Sequence, residues 1–117
     1  MISKRREGFP RHQRIVRGSD YRLIYSVGLK FNSENLVLFA RENDLHYARL
    51  GITVSRKVGG AVVRNRVKRV FREIFRRSRA DLPNHFDFVV NAKRSCVDAA
   101  YGPLRAELLH AIRRICR

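Results

Sequence analysis

The apolar side chains near the start of the chain recur at helical spacing. Ser19 is a typical N-cap residue and Gly28 a typical C-terminal stop, so the sequence predicts a short helix between them. One stripe of this helix carries Tyr21, Ile24 and Tyr25. The preceding residues 1–18 hold six Lys and Arg and few large apolar side chains, which predicts an extended basic arm.

The period then shortens to two, which predicts β-strands. The apolar run at residues 36–40 is too short for a free-standing helix and is rich in strand-forming residues. Residues 47–55 alternate, with Leu50 and Ile52 on a buried side and Arg49 and Thr53 on a polar side. The polar segment between the two runs is typical of a turn, so we interpret them as a hairpin. Phe31, ahead of them, fits a short additional strand.

From about Ala61 the period returns to that of a helix, whose apolar stripe is Val63, Val67, Val70, Phe71, Ile74 and Phe75. Residues 86–91 follow as another buried strand. Pro103, at the first helical position, opens a final helix. This order predicts a single α+β domain of residues 1–117, with a mixed sheet covered by helices on one face.

Charge is the abnormal property of this chain. Its 26 Lys and Arg face 10 Asp and Glu, which leaves a formal net charge of +16. Such self-repulsion predicts a polyanionic partner, and the excess of Arg over Lys favours nucleic acid because guanidinium groups bind phosphates with two parallel hydrogen bonds. No apolar run is long enough for a membrane span, and no secretion signal is evident, so we expect a cytoplasmic protein. Cys96 and Cys116 are expected to be free thiols.

Residues 56–79 concentrate the cations, with Glu73 as their one acid. At a spacing of four residues such cations share one helix face, where like charges destabilise an isolated helix. A ridge of this kind predicts contact with phosphates. Asn65, among the arginines, is either a cap or turn residue or a ligand for a phosphate or base edge. Glu73 is expected to orient Arg69 or Arg77.

A second group of residues suggests a groove. If Val37 and Phe39 lie on the same side of the sheet as Arg49 and Thr53, they form an aromatic and polar surface that suits unstacked bases. The alternative is that the tyrosines of the first helix merely seal the core. The four histidines are scattered, no acidic cluster is suited to Mg²⁺, and no zinc-ligand spacing occurs. The sequence therefore predicts a binding protein without catalytic residues of its own.

Residues 64–76 read RNRVKRVFREIFR, which resembles the signature of the protein subunit of bacterial ribonuclease P. Residues 50–62 also resemble that family's strand and loop, and the likeness extends over nearly the whole chain. The resemblance implies a fold similar to the second domain of ribosomal protein S5, with a left-handed β-α-β crossover. General chirality rules alone would predict a right-handed one. Tyr21 and Tyr25 stand where Phe is also common in the family.

The resemblance also implies a function. The holoenzyme would remove the 5′ leader of precursor tRNA at an Mg²⁺-dependent site in its RNA subunit, with no metal bound by the protein alone and no stable protein partner. The residues implied to bind the catalytic RNA are Arg56, Lys57, Arg64, Asn65, Arg66, Lys68, Arg69, Arg72 and Arg76. The residues implied to form the leader-binding cleft are Tyr21, Tyr25, Val37, Phe39, Arg49, Thr53 and Ser55, with Lys57 at a matching position as well.

Two other classes of function fit the composition in part. A structural ribosomal protein or a general RNA chaperone would share the charge, but it would not require the fixed positions of Asn65 and Glu73. A cationic membrane-active protein would need a helix with a free apolar face, whereas the apolar stripe here is needed for the core.

Overall fold

The structure is a computed structural model and describes residues 11–116. Within that range the α+β class is confirmed. Three helices and four strands are present, and their bounds are α1 Gly18–Val27, β1 Leu29–Asn32, β2 Leu36–Glu42, β3 Arg49–Thr53, α2 Ala61–Arg77, β4 Phe86–Ala92 and α3 Tyr101–Ile115. No helix in the described range is both long and apolar enough to cross a bilayer.

The four strands form one sheet in the order β1-β2-β4-β3. β4 pairs antiparallel with β2 and parallel with β3. The hairpin predicted from residues 36–40 and 47–55 is therefore wrong, because β4 lies between these two strands. The first five residues of β4 are all buried, so this strand needs neighbours on both edges and packing on both faces. In β3, by contrast, the alternating polarity of the sequence is typical of a strand with one face more exposed to solvent than the other.

The short strand expected around Phe31 is confirmed as β1, and β1 and β2 form the actual hairpin. Its turn is held by α3. The Glu107 carboxylate accepts hydrogen bonds from the Ser33 hydroxyl at 2.6 Å, the Asn35 backbone N–H at 2.7 Å and the Asn35 side-chain amide at 2.7 Å. Burial raises the pKa of Glu107, but these hydrogen bonds outweigh it and leave the pKa below its ordinary value.

The connection from β3 through α2 to β4 is a left-handed crossover. The Leu50 side chain belongs to the core beneath α2, and the Leu50 carbonyl accepts a hydrogen bond from the Ile15 N–H on the outer edge of β3. For an L-residue viewed from its side-chain face with the strand running upward, the carbonyl points to the right. The partner strand β4 must then lie to the left, which is the opposite of the common right-handed arrangement.

Helices cover both faces of the sheet, so the expectation that they cover one face is wrong. The main core lies between the sheet and α2 with α3, and it contains Leu38, Phe71 and Phe88. α1 packs on the other face, where Ile24 meets Val89. Val89 shows the physical reason, since β4 is buried on both faces and this apolar side chain points away from the main core, so the second face also has to be covered.

Several element ends differ from the sequence prediction. α1 begins at Gly18, so Ser19 lies in its first turn and does not cap it, whereas Gly28 ends α1 as expected. A Cβ at position 28 would collide with the Ile24 carbonyl oxygen. α3 begins at Tyr101, which makes Pro103 the third residue of α3 instead of the first. Its missing N–H still falls in the first turn, where no intrahelical acceptor exists.

The basic arm is described only from residue 11 onward, and residues 1–10 lie outside the described range. The described part is not simply extended. Arg11–Gln13 form a 3₁₀ turn, Ile15 is buried, and Arg14 forms a parallel bridge with Leu50. This segment therefore continues the sheet beyond β3. Both cysteines are free, as expected.

Candidate nucleic-acid interface

α2 presents its cations to solvent because its apolar stripe is buried. Val67, Phe71, Ile74 and Phe75 pack into the core, which turns the remaining face outward. Arg66 and Arg69 are exposed, as are Arg56 and Lys57 in the turn before the helix. Four further cations of α2 are half-buried, so their aliphatic stems lie along the protein and their charged ends reach the surface: Arg64, Lys68, Arg72 and Arg76. We call this set the basic ridge; it comprises Arg56, Lys57, Arg64, Asn65, Arg66, Lys68, Arg69, Arg72 and Arg76.

The start of α2 strengthens the positive field of the basic ridge. Gly60 occupies the N-cap position without a side-chain cap, and no acidic residue lies in the first turn. The free backbone N–H groups and the helix dipole therefore add positive potential at the end nearest Arg64. Gly59 allows the chain to turn closely into the helix, since a Cβ there would lie 2.9 Å from a methyl group of Val63.

Asn65 and Glu73 can now be assigned local roles. Asn65 lies inside α2 and is exposed, so the interpretation as a cap or turn residue is wrong and its amide is open to a ligand. The Glu73 carboxylate accepts hydrogen bonds from Arg76 at 2.7 and 3.2 Å and from Arg77 at 2.5 Å. The hydrogen bonds from Arg76, then those from Arg77, lower the pKa of Glu73 despite some burial. Of the two expected partners Arg77 is the one that Glu73 orients, together with Arg76.

The predicted common face of the sheet is confirmed by the strand register. Asn91 of β4 lies opposite Val37 of β2 on one side and opposite Thr53 of β3 on the other. One pair further along, Val89 lies between Phe39 and Gly51 in the same way, and Asp87 faces Arg49. All of these residues share the face that α1 covers in part. Ser55 is exposed beyond the end of β3.

Tyr25 is held rigidly in this face although it remains open to solvent. Its hydroxyl donates to Asn91 Oδ1 at 2.9 Å and lies 3.1 Å from Thr53 Oγ1. Its ring meets the Phe39 ring edge-on, with centroids 4.9 Å apart, and the residue is 38% exposed. Lys30 of β1 lies 5.8 Å from the centroid of Phe39. We call the surface formed by Tyr25, Val37, Phe39, Thr53 and Asn91 the aromatic groove.

Tyr21 differs from Tyr25 in its surroundings. Its hydroxyl donates to the Ile15 carbonyl at 3.2 Å, and its ring packs beside Ile15 and Ile24. The ring lies so close to Gly51 that a Cβ there would be 2.6 Å from the hydroxyl oxygen. Burial, with a smaller contribution from Tyr25, raises the pKa of Tyr21. The sealing role weighed for both tyrosines therefore fits Tyr21, whereas the Tyr25 ring remains open to solvent.

Arg49 lies on the expected face, but its guanidinium is engaged within the fold. Nε and Nη2 donate to the two carboxylate oxygens of Asp87 at 2.9 and 2.6 Å, and Nη1 lies 3.7 Å from Asp20 of α1. The hydrogen bond to Asp87 is the main reason that the pKa of Arg49 is raised. Asp87 also accepts a hydrogen bond from the Asn43 amide at 2.8 Å. Arg49 thus fastens the start of α1 to the sheet.

Sequence reasoning missed Asn91 and Asp87. Alternation through residues 86–91 would have placed both on the face of Val89, because every second residue of a strand shares a face. A lone Asp within an apolar strand is itself a signal, since a buried carboxylate requires a partner. Among the described residues, no group of three or more His, Cys, Asp or Glu is placed to hold a metal ion.

The fold and these two surfaces define a small, strongly basic α+β protein of the nucleic-acid-binding class. Comparison with known proteins identifies the family. The family model for ribonuclease P matches residues 9–116. The ribonuclease P protein component of Desulfovibrio desulfuricans is 43% identical over 117 aligned residues, covering 97% of this chain and 90% of that protein. The chain belongs to the ribonuclease P protein component family.

Solved structures agree with this assignment. The RNase P protein of Thermotoga maritima superposes with a TM-score of 0.81 at 37% identity, covering 87% of this chain and 96% of that one. The RNase P protein of Staphylococcus aureus superposes with a TM-score of 0.79 at 30% identity, covering 87% and 94%. Membership of the family implies a role in tRNA processing and association with the RNA of ribonuclease P.

Proposed function

We propose that this protein binds the catalytic RNA of ribonuclease P through the basic ridge and the 5′ leader of precursor tRNA through the aromatic groove. In this way it assists removal of the leader. The observation that carries the proposal is the presence of two chemically different exposed surfaces on one small fold. One is dense in cations, whereas the other offers a rigid exposed ring beside hydroxyl and amide groups.

The basic ridge suits a folded RNA. Arg66 and Arg69 are exposed on a helix whose opposite side is fixed in the core, so their guanidinium groups are presented from a rigid support. Guanidinium groups bind phosphates in a bidentate manner, and each neutralised phosphate releases counterions. Asn65, exposed between two arginines, adds an amide that can bond a phosphate or a base edge.

The aromatic groove suits a single strand. Stacking of a base on an aromatic ring tolerates every sequence, because every base has a π-face. Tyr25 is preorganised for this by its hydrogen bonds to Asn91 and Thr53, so little rotamer entropy is lost on binding. Lys30, close to Phe39, adds a cation for the backbone of the same strand.

The catalytic centre in this proposal belongs to the RNA subunit, which would also hold the required Mg²⁺. The acids of this chain support the proposal, since three of them serve as internal acceptors. Glu73 binds two arginines, Asp87 binds Arg49, and Glu107 holds the β1–β2 turn. A cytoplasmic location follows from the proposed substrate, and the proposal requires neither a membrane nor a stable protein partner.

Reconstitution tests the proposal directly. The protein is added to a bacterial ribonuclease P RNA and a precursor tRNA at low Mg²⁺, where cleavage by the RNA alone is slow. We expect the protein to restore removal of the leader and to cut nothing when incubated without the RNA. A polyarginine peptide of matched charge is the control for simple charge neutralisation. Equal stimulation by that peptide, or none by the protein, would contradict the proposed function.

A further inference from the structure

A recess of about 280 Å³ lies at the outer edge of β3, between the N-terminal segment and α2. Arg14 reaches it from the N-terminal segment, and Lys68 and Arg72 reach it from α2. The rest of its wall consists of Tyr21, the β3 backbone and apolar side chains, and none of the described lining residues is acidic. Its volume is close to the lower end of the range typical of ligand sites, about 300–1,000 Å³.

The backbone beside Arg14 is held in place by two hydrogen bonds at Ile15. The Ile15 N–H donates to the Leu50 carbonyl at 3.0 Å, and the Ile15 carbonyl accepts from the Tyr21 hydroxyl at 3.2 Å. Ile15 itself is only 4% exposed. The segment that carries Arg14 is therefore anchored before any ligand arrives, and Tyr21 supplies one of these two hydrogen bonds.

The cations of the recess influence one another. Burial lowers the pKa of the Arg72 guanidinium, and the positive charge of Arg14 lowers it further. Arg72 thus lies near a like charge in a partly desolvated place, where charges interact more strongly than in water. An anion bound between the guanidinium groups of Arg14 and Arg72 would be attracted to both, and these attractions would offset their mutual repulsion. A phosphodiester is such an anion, and its oxygens match the guanidinium fork.

We propose that Arg14, Lys68 and Arg72 together bind one RNA phosphodiester, and that the Tyr21 hydroxyl is the positioning group that holds Arg14 in this subsite. The inference rests on the proposed function, because it takes RNA as the source of the phosphate. It joins the N-terminal segment to the basic ridge in a single contact. Phe at position 21 would keep the packing of the ring and lose this anchor.

A double-mutant cycle tests whether Arg14 and Arg72 share a phosphate. Arg14→Ala, Arg72→Ala and the double variant are compared with the parent for affinity to ribonuclease P RNA, and as holoenzymes for precursor and mature tRNA. If the phosphate is shared, the double variant should lose at least about three-fold less affinity than the product of the single losses. Arg113 is exposed on α3, so Arg113→Ala is the matched charge control. Its fold loss in RNA affinity should simply multiply with that of Arg72→Ala.

The three RNAs distinguish the source of the phosphate. Coupling in the affinity for ribonuclease P RNA assigns the phosphate to the catalytic RNA. Coupling seen with precursor tRNA and absent with mature tRNA assigns it to the leader. Independent, multiplicative losses with all three RNAs would overturn the subsite.

Tyr21→Phe tests the positioning role. Loss of one hydrogen bond should weaken binding of the same RNA roughly two- to ten-fold. In the Arg14→Ala background the same substitution should have no further effect, which a merely structural hydroxyl would not predict. An equal loss in both backgrounds would refute positioning. Urea unfolding of each variant verifies that the fold is intact.

Failure of the subsite and failure of the proposed function give different results. If the parent protein does not stimulate leader removal, the proposed function fails. Inorganic pyrophosphate added to the free protein still reports on the subsite, through the side-chain NMR signals of Arg14 and Arg72. Both signals should shift in the parent, and that of Arg72 should shift less in Arg14→Ala. If neither signal shifts, the subsite is refuted whichever RNA the protein binds.

Discussion

Replacing Arg49 by Ala should destabilise the fold far more than a surface substitution does. Arg49 donates two hydrogen bonds to Asp87, whose side chain is 2% exposed, and it also lies near Asp20 at the start of α1. Removal of Arg49 would leave the Asp87 carboxylate buried without its cation. The same substitution would remove the contact between the sheet and Asp20 at the start of α1.

The size of the effect follows from the burial of the pair. Loss of one partner from a buried ion pair costs about 3–5 kcal/mol. The Arg49 side chain is 21% exposed, and Asn43 still donates to Asp87 at 2.8 Å, so the lower end, about 3 kcal/mol, applies. A single domain is stabilised by only about 5–15 kcal/mol, so this is a large share of the total.

Urea unfolding of Arg49→Ala measures this loss, and Arg41→Ala is its matched control. Arg41 lies opposite Asp87 on β2 as Arg49 does on β3, yet within the described chain it forms no ion pair with Asp87. The control should shift stability by less than about 0.5 kcal/mol. Asp87→Asn in the Arg49→Ala background should recover part of the loss. Unchanged unfolding of Arg49→Ala with weakened leader binding would refute this reasoning and make Arg49 a direct leader contact.

Three further predictions concern the two surfaces and the β1–β2 turn. Arg64→Ala with Arg69→Ala should weaken binding to ribonuclease P RNA and reduce the log-log salt slope by about 2, since about 0.9 is lost per phosphate contact; unchanged slope and processing would exclude both residues from the contact. Tyr25→Ala should weaken binding of precursor tRNA by about 1–3 kcal/mol through lost stacking and leave binding of mature tRNA unaffected in equilibrium titrations. Equal losses of affinity for both RNAs would show that Tyr25 supports the core and does not contact the leader. The lowered pKa of Glu107 means that its ionised form stabilises the fold above the ordinary pKa of 4.5, and that this contribution is lost as the pH falls through the folded-state value. Glu107→Gln should therefore reduce the fall in the free energy of unfolding between neutral and acidic pH, as measured by urea unfolding. An unchanged fall would show that the carboxylate does not contribute to stability.

The helices could be predicted from the sequence because their apolar periodicity is local. The change of period predicts a helix from about Ala61, and α2 begins at that residue. The order of the strands could not, since pairing depends on which strand is buried on both faces. Residues 86–91 contain that information, but the polar turn before residue 47 favoured the wrong hairpin. The left-handed crossover came from family resemblance, since general chirality favours the opposite hand.

The face of the sheet on which a site residue lies could be predicted from the alternation of the strands. The hydrogen-bond partner of each side chain could not. Val37, Phe39 and Thr53 share the expected face because a strand has a strict period of two. The division of labour between the tyrosines was not predictable, because it depends on what each hydroxyl meets. Tyr21 meets the Ile15 carbonyl, whereas Tyr25 meets Asn91. Such contacts join residues far apart in the chain.

One of the two interior strands of the sheet, β4, is also the last strand to be synthesised. β2 and β3 share no edge until β4 pairs with both, so the ribosome must release residue 92 before the sheet can close. By then α2 has already been synthesised, and its apolar stripe has no complete sheet to pack against. The order of the strands thus sets a period during synthesis in which α2 exposes its apolar stripe on one side and its arginines on the other. Folding of the nascent protein is then governed by the arrival of a single strand.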